Sequence, residues 1–117
     1  MTSEADQARA EQILLSLATE DWYSLSEAES AVDQAMPDVY VGLRQLVVIA
    51  LRSLADHGLL RFARLNFSTN EEQAITPESL SAILDDEESW NLPSGENPWA
   101  ICLTATETGE QRYFGAG

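Results

Sequence analysis

The chain contains no lysine, one histidine and one cysteine, and these scarcities limit the chemistry open to it. His57 has no second histidine to join it in a zinc site, and Cys102 has no other cysteine with which to form an internal disulfide. A reducing cytoplasm is the expected compartment. The sequence also lacks a nucleophile elbow and a glycine-rich phosphate loop. We therefore expect no enzyme activity, no metal and no cofactor.

Long hydrophobic runs are absent too. No apolar stretch approaches the ~20 residues that a membrane-spanning helix needs, and the N-terminal segment MTSEADQARAEQ is acidic and polar, unlike a signal peptide. The 117 residues are 44% hydrophobic, which is typical of a folded protein with one core. We expect a single domain over residues 1–117, with no membrane contact and no small-molecule substrate.

Negative charge dominates the composition, with a net charge of -14 at pH 7. The charge is unevenly spread, because residues 39–64 carry one acid, Asp56, against four of the six arginines. The arginines of this basic island are Arg44, Arg52, Arg61 and Arg64. An overall charge of this sign repels nucleic acid and anionic lipid at long range.

Helical periodicity and capping signals indicate three helices in the first half of the chain. The first is predicted over residues 3–19. Ser26 and Glu29 form a capping-box pattern at the start of the second, SEAESAVDQAM. The third and longest is predicted over about 38–57, with Asp38 as its N-cap and Gly58 as its stop.

Alternating polar and apolar residues predict a small antiparallel sheet in the second half. Residues 60–67 and 99–104 are its expected strands. Between them lies a long acidic segment, residues 68–98, in which Thr76-Pro77-Glu78 is a strong helix start. The tail from Thr106 to Tyr113 fits either a helical turn or a further strand.

The stretches ALRSLADHGLLRFARL and ICLTATETGEQRY carry a resemblance to winged helix-turn-helix proteins. Bacterial regulators of the MarR and PadR kind have a similar leucine-rich helix ending in Gly-Leu, and a wing strand that runs into Leu-Thr, then Gly. The resemblance implies an α+β, winged-helix-like fold with three N-terminal helices, a small antiparallel sheet and a helix inserted in the wing. Two features depart from the pattern: residues 68–98 replace a tight wing hairpin, and Gly109 follows Leu103-Thr104 two residues late.

The third helix is the one that would enter the DNA major groove in such a fold. On a helical wheel its core face holds Tyr40, Leu43, Val47, Ala50, Leu51 and Leu54. Its outer face carries Gln45, Arg52 and Asp56, but also Val41, Val48 and Ile49. Base edges are read by polar side chains, so these three β-branched residues indicate a covered surface. We predict a partner contact at Val41, Val48, Ile49 and Arg52, made by the inserted helix or by a second copy of the chain.

Three functions fit these observations. The first is a non-catalytic protein that acts through protein–protein contacts, either as a homodimer or with another protein as its partner. The second is a DNA-binding transcriptional regulator in which Arg44, Arg52, Arg61 and Arg64 contact phosphates. The third is an acidic mimic of DNA. We favour the first, because the surplus carboxylates can pair with the arginines and eight acids lie between residues 70 and 96.

Overall fold

The computed structural model describes residues 4–39 and 42–115. Within them the fold is α+β, with five α-helices and a four-stranded antiparallel sheet. The helices are α1 (Glu4–Ala18), α2 (Leu25–Ala35), α3 (Leu43–Asp56), α4 (Pro77–Asp85) and α5 (Glu107–Gly115), and a 3₁₀-helix spans Glu87–Trp90. The strands are β1 (Tyr23–Ser24), β2 (Leu60–Asn66), β3 (Glu72–Ala74) and β4 (Trp99–Ala105). None of the described helices is both long and apolar enough to cross a membrane.

The start of α2 differs from the prediction by two residues. Ser24, not Ser26, is the N-cap, and its side chain accepts a hydrogen bond from the Glu27 backbone N–H. The Glu27 carboxylate in turn accepts from the Ser24 backbone N–H, which completes the capping box. Ser26 and Glu29 have partners elsewhere in the fold, so they are not free to cap this helix.

The predicted start of α3 is also wrong. The helix begins at Leu43, and its N-cap is Gly42, which adopts a left-handed φ of 79°. Asp38 is exposed in the preceding turn, while Tyr40 and Val41 lie outside the described residues. The predicted end is confirmed, since Gly58 takes a φ of 71° just after the helix. The Leu59 N–H then reaches back to the Leu54 carbonyl, as a left-handed glycine cap requires.

The sheet has the strand order β1-β4-β2-β3. The predicted pairing of its two long strands is confirmed, with Leu60 opposite Ala105 and Asn66 opposite Trp99. Strand β3 was not predicted. It forms a hairpin with β2, closed by Asn66, whose side-chain oxygen accepts from the backbone N–H groups of Ser68 and Thr69.

One face of the sheet packs against the helices. Leu60 and Phe62 of β2 and Ile101 and Leu103 of β4 belong to the main core cluster together with residues of α1, α2 and α3. Because side chains alternate along a strand, Arg64 lies on this same face, and Arg61 lies on the other. The inserted α4 follows β3 and buries Leu80 and Leu84 in the core cluster.

The tail forms α5, which resolves the choice left open by the sequence. Thr106 precedes the helix and forms two hydrogen bonds with the residues that follow α3. Its backbone N–H donates to the Leu59 carbonyl at 3.0 Å, and its hydroxyl donates to the Gly58 carbonyl at 2.6 Å. Gly109 is buried at this contact. Gly109, which follows Leu103-Thr104 two residues later than in the winged-helix pattern, therefore lies where α5 approaches the residues just after α3.

Candidate interaction surface

The inserted segment lies against the outer face of α3 and forms a groove with it. The groove encloses about 390 Å³. From α3 it is lined by Arg44, Gln45, Val48, Ile49 and Arg52, and from the insertion by Leu84, Asp85, Glu87 and Trp90. We call this set of nine residues the α3 groove.

Trp90 anchors the insertion between α2 and α3. Its side chain is buried, and its indole N–H donates to the Leu84 carbonyl at 3.0 Å. The Ser26 hydroxyl donates to the Trp90 carbonyl. The Arg44 guanidinium lies 4.2 Å from the centre of the Trp90 ring, a distance typical of a cation–π contact. In the sequence, Trp90 reads at most as a further member of an apolar stripe on the inserted helix, and nothing there predicts its contacts with Ser26 and Arg44.

Arg44 and Arg52 both engage carboxylates beside the α3 groove. Arg44 pairs with Glu29 of α2, with one of its two bonds at 3.1 Å, and Arg52 pairs with Asp85 of α4 at 3.2 Å. Both arginine side chains are about two-fifths exposed, so each pair contributes at most about 1 kcal/mol to stability. The Nε of Arg52 is buried and has no hydrogen-bond partner among the described residues.

The apolar residues of the predicted contact are only partly covered. Val48 is half-buried and packs against the core cluster, whereas the Ile49 side chain remains 41% exposed. Val41 is not among the described residues. The insertion thus covers part of the outer face of α3 and leaves Ile49 beside the groove as an uncovered apolar residue.

The four arginines of the basic island do not form one surface. Arg44 and Arg52 line the α3 groove, whereas Arg64 lines a separate cavity of about 560 Å³ between the sheet and the insertion. Arg61 projects from the other face of β2, where it lies 4.8 Å from the Trp22 ring centre and 3.8 Å from Glu72. Arg64 has no carboxylate within ion-pair range in the part of the chain that the structure describes.

The single histidine and the single cysteine both have positions set by the fold. His57 is the C-cap of α3, and its Nδ1 lies 2.7 Å from the Ser53 carbonyl. Burial, and secondarily the charge of Glu27, raises the pKa of the Cys102 thiol to about 12, which suppresses the reactive thiolate. Over residues 4–39 and 42–115, no three His, Cys, Asp or Glu side chains are placed to hold a metal ion.

Comparisons of the chain with protein-family models, with curated proteins and with solved structures each find no match.

Proposed function

We propose that this protein acts without catalysis, through protein–protein contacts made at the α3 groove of a winged-helix-like scaffold. The order of the elements supports the scaffold: a helix, a short strand, two helices, and two long strands joined by an insertion. The sheet order supports it as well, since β1 pairs with the last strand and that strand with β2. The observation that carries the function is the insertion itself, which covers part of the outer face of α3, the face that a DNA-binding protein of this fold would present to the major groove.

The ion pairs of the arginines support a protein rather than a nucleic acid as the partner. DNA affinity arises largely from basic side chains that neutralise phosphates. Arg44, Arg52 and Arg61 each lie within 4 Å of a carboxylate. A phosphate would have to compete with that carboxylate for the guanidinium, in a chain whose net charge of -14 already repels it.

Site-specific photo-cross-linking tests this function. A photoreactive phenylalanine analogue in place of Ile49 should give covalent protein adducts on irradiation of living source cells. The same analogue at Gln12, an exposed position on α1, serves as the matched control and should give few adducts. Equal labelling at both positions, or adducts that disappear on nuclease treatment, would contradict the proposal.

DNA binding is the second candidate, and Arg64 is the observation that favours it, because this guanidinium has no carboxylate partner within the described ranges. A gel-shift titration with random duplex at physiological salt separates the two functions. Under our proposal no shift occurs below about 10 μM protein, within the usual non-specific range. A tighter shift that Arg64→Glu or Arg52→Glu abolishes would establish the DNA-binding function instead.

A further inference from the structure

The cavity between the sheet and the insertion is separate from the α3 groove. Its lining includes Arg64 of β2, Trp99 of β4, and Asp86 and Glu88 of the insertion, and we call it the Arg64 cavity. It encloses about 560 Å³, within the usual size range of small-molecule sites. None of its lining residues also lines the α3 groove. We propose that the Arg64 cavity binds a small zwitterion with an apolar side chain, of the class of the free α-amino acids.

The charged side chains of the Arg64 cavity are opposite in sign but do not pair with one another. Neither Asp86 nor Glu88 lies within ion-pair range of Arg64, and no other carboxylate of residues 4–39 and 42–115 does. The cavity thus holds a guanidinium and two carboxylates apart. A guanidinium binds a carboxylate through two parallel hydrogen bonds, and a carboxylate accepts strong hydrogen bonds from an ammonium group. A ligand that has both groups can bridge the two sides of the cavity.

The balance of charge distinguishes between the classes of ligand. Arg64, Asp86 and Glu88 together carry -1 (1 − 2), and the whole chain carries -14. A ligand with only negative charge would meet two carboxylates in the lining, and like charges in contact disfavour binding strongly. A ligand with only positive charge would approach the carboxylates but leave Arg64 without an acceptor. A zwitterion has no net charge and offers a partner to both kinds of group.

The remaining lining combines apolar surface with amide groups. Ile101 is buried, whereas Ile83 and Trp99 are half-buried and present part of their apolar surface to the cavity. The side chains of Gln73 and Asn91 also line it and form no hydrogen bond with other described residues. An amide both donates and accepts, so each can bind either end of a zwitterion. Apolar lining with a few polar groups is typical of ligand sites, and it favours a hydrophobic side chain on the ligand.

A nuclear magnetic resonance titration with L-leucine and with L-phenylalanine tests the proposal. At least one of them should shift the backbone amide signals of residues lining the Arg64 cavity, with a Kd of about 1 mM or lower. The signals of α1 should not change, because α1 contributes no residue to the cavity. The N-acetyl derivative of the amino acid that binds more tightly lacks the ammonium group, and its amide derivative lacks the carboxylate. Each derivative should bind about tenfold or more weakly.

Two variants assign the ends of the ligand to the two sides of the cavity. Arg64→Gln should weaken binding of the amino acid about tenfold or more, but should not weaken binding of the amide derivative, which has no carboxylate. Glu88→Gln should weaken binding of the amino acid without weakening that of the N-acetyl derivative. Glu88 is chosen because Asp86 also accepts a hydrogen bond from the Glu88 backbone N–H at 3.0 Å. Arg61→Gln is the matched control, since Arg61 lies on the opposite face of the same strand.

The amide spectra also establish that each variant is folded, and Glu88→Gln decides alone if Arg64→Gln does not fold. Several results would overturn the proposal. Neither amino acid shifts the cavity signals at about 10 mM, or the shifts occur at the α3 groove instead. The N-acetyl derivative binds as tightly as the amino acid, which would indicate a carboxylate site, or the amide derivative does, which would indicate an amine site. Arg61→Gln weakens binding as much as the cavity variants do.

Discussion

At the scale of single residues, Gly109 has the least room for a side chain among the glycines that the structure describes. A Cβ added there would lie 2.1 Å from the Leu59 carbonyl oxygen, which is backbone and cannot rotate away. We expect Gly109→Ala to lower the free energy of unfolding by about 1–3 kcal/mol, the usual cost of overpacking. Gly115→Ala, in the same helix but with nothing within 4 Å of its added Cβ, is the control. Urea titrations that give equal stabilities for the two variants would contradict the close contact.

Cys102 offers a second test at this scale. Because the folded thiol has a pKa of about 12 instead of 9.0, the folded state disfavours the thiolate. Folding stability is therefore unaffected by this group below pH 9, and it falls as the pH rises from 9 toward 12, by up to about 1.4 kcal/mol per pH unit. We expect Cys102→Ala to show a smaller loss of stability over that range in urea titrations. Parallel curves for the two proteins would contradict the assignment.

Thiol labelling gives an independent check of the same residue. An aromatic disulfide reagent at pH 8 should react slowly with Cys102 in the native protein, and rapidly once urea unfolds it, because burial suppresses both access and thiolate formation. Rapid labelling of the native protein would show that the thiol is reached without unfolding.

At the scale of elements, local signals predicted some helix ends and missed others, such as the start of α3 at Gly42. Thr76-Pro77-Glu78 starts α4 and Gly58 follows the end of α3, as predicted. The start of α2 was predicted wrongly, because Ser24 and Ser26 each have a glutamate three residues later. The choice depends on long-range contacts: Ser26 donates to the carbonyl of Trp90 and Glu29 binds Arg44. Neither contact can be read from the local sequence.

Strand β3 was missed for a related reason. Glu72, Gln73 and Ala74 are all exposed, so they show no alternation of apolar and polar residues. Their pairing depends on the backbone of β2 and on the turn that Asn66 closes. Four residues named from the sequence line the α3 groove: Val48, Ile49 and Arg52 from the outer face on the helical wheel, and Arg44 from the phosphate contacts of the DNA-binding alternative. The separation of Arg61 and Arg64 from them depends on tertiary structure.

The position of the insertion against the rest of the fold depends on Trp90. We expect Trp90→Ala to lower the free energy of unfolding by about 3–5 kcal/mol, the range for a buried large aromatic residue. Hydrogen exchange should also lose more protection in α4 than in α1, because the substitution removes the bond to Leu84 and the contact with Arg44. Trp22→Ala is the control, since Trp22 is only half-buried. A uniform loss of protection across both helices would contradict a separate anchoring role.

At the scale of the whole molecule, self-repulsion governs how stability responds to salt. The folded chain measures 39 × 33 × 25 Å and carries a net charge of -14. At an ionic strength of 0.01 M the screening length is about 30 Å, so nearly every carboxylate is repelled by the others, whereas at 0.15 M it is about 8 Å. Unfolding relieves the repulsion by spreading the charges apart, so low salt favours the unfolded state.

Added salt should therefore stabilise this protein. Opposing losses are small, because Arg44–Glu29, Arg52–Asp85 and Arg61–Glu72 are partly exposed ion pairs and each contributes at most about 1 kcal/mol. Between about 0.01 M and 0.15 M sodium chloride we expect the Tm to rise by about 4 °C, equivalent to about 1 kcal/mol for a chain of this size. Differential scanning calorimetry at low protein concentration measures this rise. Sodium perchlorate at matched ionic strength should give a similar rise, because screening depends on ionic strength and not on the anion. A Tm that falls in both salts would mean that the three ion pairs outweigh the repulsion among the twenty acids.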